Sequence, residues 1–285
     1  MENMLMDYLR PDKVGDIARL ADGRGVYYLA GGTDIMVLKK ENLLEDKPLI
    51  DISSLQELKG IEERDASIYI GALETMTSIA KNPILQEKAT ALVDAASIMG
   101  SPIIRNLATI GGNLANSSPA ADLIPPLIAL SGQVIVQKAD RTREIPAESF
   151  CTSAGSNLLD NGEIVRGVRI PVQENSFSGF MKLGPRAALA ISKVSVAVWW
   201  FLNGEEIYDI KIAMGAVGPI CFRAKFTEKI LKGRVLSPDI LEEAAEMIET
   251  EARPIDDFRS TADYRRKMTG VLLKRILNKN EIISE

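Results

Sequence analysis

Residues Ile104-Arg-Asn-Leu-Ala-Thr-Ile-Gly-Gly-Asn-Leu-Ala-Asn-Ser-Ser-Pro-Ala-Ala-Asp122 decide the reading of this chain. The stretch from Ser101 to Ser118 is rich in Gly, Asn, Ser and Pro and reads as a long loop, and a loop of that length inside a domain usually serves function. An earlier stretch, Tyr28-Leu-Ala-Gly-Gly-Thr-Asp-Ile35, closes a short apolar run with the same Gly-Gly pair. Glycine lets a backbone approach a ligand closely, and successive N–H groups in such turns form concave anion sites suited to a pyrophosphate. Either pair alone also reads as a tight turn. The chain holds no GxGxxG and no GxxxxGK[ST], so the common dinucleotide and P-loop fingerprints are missing.

Outward from these stretches the apolar pattern alternates helix and strand. Pro11 opens a helix carrying Val14, Ile17, Ala18 and Ala21 that ends near Asp22-Gly23; Val26 to Leu29 reads as a strand, Ile35, Met36 and Leu38 as a short helix, and Pro48 to Ile52 as a second strand. That is a small βαβ-like unit. Ser67 to Ala72 predicts a further strand and Thr75 to Ala80 a helical turn. Leu85, Ala89, Leu92, Ala96 and Met99 then predict one long amphipathic helix stopping at Gly100. Strands follow at Val134–Val136, Arg143–Ile145 and Ile164–Ile170. From residue 176 three runs, Phe177 to Leu183, Lys193 to Leu202 and Ile207 to Val217, predict an antiparallel three-stranded meander with its turn at Asn203-Gly204. Ser237-Pro238 starts an acidic helix and Thr261 a basic one, so the second part is α+β with a boundary near 171–177.

Composition narrows the chemistry. The chain has 285 residues, 46% hydrophobic and 26% charged, with a net charge of −5, which suits a soluble globular protein and disfavours nucleic acid or anionic lipid as partner. It has no histidine, which excludes Ser-His-Asp and Cys-His catalysis, His-ligated zinc or haem, and covalent flavin attachment through His. Cys151 and Cys221 cannot build a four-thiolate cluster or a disulfide framework, so no metal site is expected. The N-terminal residues show no apolar leader and Val194 to Leu202 is too short to span a bilayer; a cytoplasmic protein without membrane insertion is expected.

Taken together, the two Gly-Gly stretches, their spacing and their flanks resemble the FAD-binding medium subunit of the molybdenum hydroxylases, the xanthine dehydrogenase and carbon monoxide dehydrogenase family. The likeness continues through Glu163 to Pro171 and Phe180-Met-Lys-Leu-Gly-Pro-Arg186 to the C-terminal helices. It implies an α+β architecture: a two-lobed FAD-binding domain of the PCMH/vanillyl-alcohol-oxidase type over residues 1–175, with lobes 1–55 and 56–175, then a smaller domain over 176–285. It implies non-covalent FAD, with Leu29, Ala30, Gly31, Gly32, Thr33, Asp34 and Ile35 around the pyrophosphate and Thr109, Ile110, Gly111, Gly112 and Asn113 as a second pyrophosphate and ribityl loop. Asp122 matches a ribose- or adenine-side carboxylate, its other reading being an N-cap for a Leu123–Leu130 helix. Val165 matches an adenine-side backbone contact, and Lys182 a cation near the flavin, its other reading being a solvated surface lysine. Met99 stands where some relatives place an aromatic beside the flavin, and reads otherwise as helix core.

The resemblance further implies a large molybdopterin subunit and a small subunit with [2Fe–2S] clusters as partners, assembled as a dimer of heterotrimers, with NAD⁺ or another electron acceptor and no catalytic acid, base or nucleophile on this chain. The segment Lys182 to Ile191 looks like purine-hydroxylase relatives and points to a xanthine dehydrogenase type, although Ala187 to Ile191 lacks the acidic residues some relatives carry over the isoalloxazine. Arg259, Arg265, Arg266, Lys267, Lys274, Arg275 and Lys279 make the last helix basic, either as a solvated face or as a surface for an acidic partner. Two other readings stand beside this one: a stand-alone reductase related to UDP-N-acetylenolpyruvoylglucosamine reductase, for which no Ser or Glu over the flavin is identified, and a flavin-free scaffold.

Overall fold

Three short parallel strands, β1 (Tyr8–Leu9), β2 (Tyr27–Leu29) and β3 (Leu49–Asp51), pair in the order β1-β3-β2 in the computed structural model, which describes residues 7–21, 24–186 and 189–278. The expected first helix is split into a 3₁₀ turn, Val14–Asp16, and a helix, Ile17–Ala21; its expected stop at Asp22-Gly23 lies outside the described residues. Val14, Ile17, Ile50, Leu55 and Leu58 form the core of this layer and meet Leu73 and Ile164 of the next.

That next layer is a five-stranded antiparallel sheet. Its strands are β4 (Ile61–Arg64), β5 (Ser67–Gly71), β6 (Gln133–Lys138) and β7 (Arg141–Pro146) and, after a small hairpin of β8 (Cys151–Ser153) and β9 (Ser156–Asn157), β10 (Ile164–Pro171), in the order β4-β5-β10-β6-β7. Between β5 and β6 every element is a helix. The long helix expected up to Met99 is broken at Ala89 into Pro83–Lys88 and Thr90–Ile98. The break has a tertiary cause: the Thr90 hydroxyl donates to the Ser178 carbonyl and the Ala91 amide to Ser178 Oγ at 3.0 Å. The expected loop after Ser101 is likewise replaced by two helices, Pro102–Leu107 and Ile110–Asn116, whose caps Ser101 and Thr109 accept from Ile104 N and Gly112 N at 3.2 and 3.1 Å.

The third layer is an antiparallel sheet of β11 (Ser176–Leu183), β12 (Val194–Asn203), β13 (Glu206–Gly215) and β14 (Phe222–Arg223), one short strand more than the expected meander. Successive residues of β12 enter two different cores. Val196, Val198 and Trp200 pack with the C-terminal helices Pro238–Glu251 and Ala262–Asn278, and Ala197 packs in the core of the five-stranded layer. A strand covered on both faces needs no polar alternation, which accounts for the unbroken apolar run in its sequence.

Both cysteines are buried free thiols, and burial pushes Cys221 up, away from thiolate formation. Several cations of the last helix are tied down: Arg265 to Asp257 and the Ala216 carbonyl, Arg266 to Asp263 and Lys274 to Glu242. Lys279 lies outside the described residues. Among the described residues no helix is long and apolar enough to cross a membrane.

Candidate cofactor cleft

The first glycine stretch leaves its backbone unsatisfied. β2 ends at Leu29, whose carbonyl accepts from Ile52 N at 2.9 Å, and the chain turns before the Ile35–Lys40 helix. Gly32 takes a φ of +72°, open to glycine at little cost. Gly31 lies so close to the second stretch that a Cβ there would sit 1.8 Å from the Leu107 carbonyl oxygen. Met36 N donates to Gly32 O at 3.2 Å, and Val37 N and Leu38 N to Asp34 O at 2.9 and 3.2 Å. The amides of Gly31, Gly32, Thr33, Asp34 and Ile35 find no acceptor among the described residues. Such a run of free N–H groups is a site for an anion.

The second stretch behaves differently. Ile110 N donates to Glu74 O, Gly111 N to Ala72 O, Gly112 N to Thr109 Oγ1 and Asn113 N to Thr109 O, all at 2.9–3.1 Å. The expected loop is therefore a helix here, and these residues use their amides in seating it. A Cβ on Gly111 would meet Ala72 Cβ at 2.7 Å and Ala72 O at 2.8 Å, so this glycine serves close packing. What the stretch offers a ligand is side chain: the Thr109 hydroxyl, and the amide of Asn113, whose Oδ1 accepts from Leu123 N at 3.3 Å.

A cleft of about 550 Å³ lies between the two stretches, lined by Ala30 to Ile35 on one side and Thr109, Gly112 and Asn113 on the other. Met99, Ile104, Asn113 and Asn116 also line a second cleft of about 300 Å³, which runs on to Asp122 and to Leu189–Ile191 of the C-terminal domain. Met99 thus stands at the seam, just past the helix end at Ile98, and its partly buried side chain also packs against the core of the five-stranded layer. Tyr28 lines the first cleft; its hydroxyl is buried without a partner among the described residues, and burial pushes it up to about 12, so it stays protonated.

Asp122 and Lys182 are 60 residues apart in the chain and form one buried ion pair, with Lys182 Nζ 2.6 Å from Asp122 Oδ2. Ser192 Oγ donates to Asp122 Oδ1 at 2.6 Å, and Lys182 Nζ also donates to the Ala190 carbonyl at 3.4 Å. Burial raises the Asp122 carboxyl above its ordinary range, with Lys182 and Ser192 pulling it the other way. Two alternative readings fall here and one fact is added. Asp122 caps no helix, since the Ile124–Ala129 helix has Leu123 at its cap; Lys182 is no surface lysine; and the two, expected beside different parts of FAD, meet in one ion pair. Ser192 carried no local sequence signal.

The other expected residues divide. Leu29, Ile110 and Gly111 lie behind the cleft walls, and Val165 lines neither cleft, because its side chain is buried in the core where β10 pairs with Val136 of β6. The model of the FAD binding domain in molybdopterin dehydrogenase matches residues 4–173, and that of the CO dehydrogenase flavoprotein C-terminal domain matches residues 180–280. The chain belongs to this FAD-binding family of molybdopterin dehydrogenases. It is 30% identical to the glyceraldehyde dehydrogenase medium chain of Sulfolobus acidocaldarius, over 93% of this chain and 94% of that one. It is 28% identical to the carbon monoxide dehydrogenase medium chain of Hydrogenophaga pseudoflava, over 95% and 96%. A solved carbon monoxide dehydrogenase chain from the latter organism superposes with a TM-score of 0.92, covering 98% of each chain at 28% identity.

The chain's own chemistry fits FAD: a run of free amides for phosphate, a buried phenol, a polar amide at the seam and a cleft long enough to continue under a second domain. Among the described residues no cluster of three or more Cys, Asp or Glu is placed to hold a metal ion.

Proposed function

We propose that FAD lies along the two joined clefts, with its pyrophosphate on the amides of Gly31 to Ile35 and its isoalloxazine in the smaller cleft beside Met99, Asp122 and the Lys182 ammonium. The observation that carries this is the run of five unpartnered amides facing a cleft that continues to a buried ion pair. Bound there, FAD supplies exchange between two-electron and one-electron chemistry. Thr33 adds a hydroxyl beside the phosphate, Thr109 and Asn113 offer donors to the ribityl chain, and Leu189 to Ile191 shield the smaller cleft from water. The Lys182 charge, offset by Asp122, sets the local potential. No side chain of this chain acts as acid, base or nucleophile. Val165 would touch the adenine side through its backbone alone.

On this reading the protein is the electron-transfer subunit of a molybdenum hydroxylase complex. It takes electrons from [2Fe–2S] clusters of a small partner, the organic substrate is handled by a large molybdopterin partner, and NAD⁺ or another acceptor is reduced. Similarity of Lys182 to Ile191 to purine-hydroxylase relatives supports a xanthine dehydrogenase type. A cytoplasmic dimer of heterotrimers completes the proposal. The test is purification of the native complex, with an absorbance spectrum, mass spectrometry of the heat-released cofactor and identification of co-purifying chains. Free FAD with molybdopterin and iron–sulfur partners is expected; a folded, FAD-supplemented sample with neither flavin nor partners overturns it.

A further inference from the structure

Arg105 and Asn106 belong to the stretch that marks the family, yet neither lines a cleft. Asn106 Oδ1 accepts from the Thr77 hydroxyl at 2.6 Å, which ties two helices together. Arg105 reaches backwards instead. Its Nη1 donates to the Met99 carbonyl at 3.1 Å and to the Gly100 carbonyl at 3.4 Å, just past the end of the Thr90–Ile98 helix. Gly100 has a φ of +51°, and Ser101 already caps the next helix, so Met99 and Gly100 are a two-residue link between helices. One guanidinium holds both carbonyls of that link, and the link carries Met99 into the seam shared by the two clefts.

Resting on the reading of these clefts as the FAD site, we propose that Arg105 is a positioning residue that fixes the Met99 thioether against the cofactor where it passes from the larger cleft to the smaller. Arg105 makes its bonds with a single nitrogen, so a lysine ammonium could replace it, and its action on the cofactor runs through Met99. A thioether is soft and unbranched, so its packing depends on the backbone that aims it.

The experiment uses the full chain carrying R105Q, R105K, M99A and the double substitution R105Q/M99A, reading FAD dissociation constant, the absorption bands of bound flavin and Tm. R105Q should weaken FAD binding about tenfold, the scale of losing hydrogen bonds to a charged group, and shift the flavin bands. R105K should restore most of both. In the M99A background, R105Q should change the dissociation constant less than about twofold, the signature of coupling through Met99. Equal losses in both backgrounds, or a fall in Tm with FAD binding and bands unchanged, would overturn the role of Arg105 while leaving the FAD site standing. Wild-type protein that binds no FAD would overturn the site and this role together.

Discussion

Gly31-Gly32 and Gly111-Gly112 carry the same residues in the same order, and within each pair the first glycine packs tightly, while Gly31, Gly32 and Gly112 line the cleft. The pairs differ in where their amides go. At the first, the five successive N–H groups of Gly31 to Ile35 lack acceptors among the described residues; at the second, the four of Ile110 to Asn113 are used within the protein to seat a helix. One wall of the cleft therefore presents backbone to a ligand and the other presents side chains on a rigid helix. A Gly-Gly pair marks close approach, and what approaches, ligand or the protein's own strand, depends on the hydrogen bonds around it.

The largest test of this contrast is G31A. Its Cβ would sit 1.8 Å from a carbonyl oxygen, and backbone cannot step aside cheaply, so a loss of more than about 3 kcal/mol is expected as a lowered Tm or insoluble protein. A wild-type Tm would mean the two stretches do not touch as described. G32V should separate folding from binding: the left-handed φ costs about 1–2 kcal/mol, and a branched side chain in the cleft should remove FAD altogether. FAD retained at full stoichiometry after desalting would refute the phosphate cradle.

T109A addresses the other wall. Losing the cap on Gly112 N should cost about 1 kcal/mol in denaturant unfolding, and losing the donor to the ribityl chain should weaken FAD without removing it. A variant that sheds FAD at unchanged stability would make the Thr109 hydroxyl a ligand donor first. The smallest effect concerns β10, against which the second wall's helix packs. Glu163, just before that strand, accepts from Arg143 Nε and Nη2 at 2.9 and 2.6 Å, and the guanidinium holds its carboxyl below the ordinary range. The folded state then binds fewer protons than the unfolded one just below the usual Glu value; the pair's stabilisation is present above that value and fades as pH falls through the lowered one. With Arg143 43% exposed, E163Q should cost under about 1 kcal/mol at neutral pH and nothing in acid, measured as Tm against pH. A constant difference across that range would remove the charge from the account.

Local signals carried much of this. Asn203-Gly204 and its flanking runs specify the β12–β13 hairpin, and the strand, turn and short helix around the first glycine stretch are legible because they follow within a few residues. The second was misread as loop because its helices, Pro102–Leu107 and Ile110–Asn116, are only six and seven residues long, too short to show a period, and are stabilised by caps and by packing on Ala72. Ala89 breaks a helix that its own sequence favours because Ser178 of a distant strand competes for Thr90 and Ala91. The Asp122–Lys182–Ser192 cluster was out of reach for the same reason: Asp122 and Lys182 were nameable singly and Ser192 was not, and their meeting is made by the third sheet, whose placement no local pattern encodes.

That cluster bears on how far the chain can be divided. Asp122 belongs to the first domain and its two partners to the second, so cutting near the junction would separate the carboxylate in one fragment from its ammonium and hydroxyl in the other. The apolar residues that β11 and β12 bury against the first domain would be uncovered by the same cut. The two domains match separate families but share one buried ion pair and one apolar seam, so a piece expressed alone should expose both, and adding the other piece should cover them again.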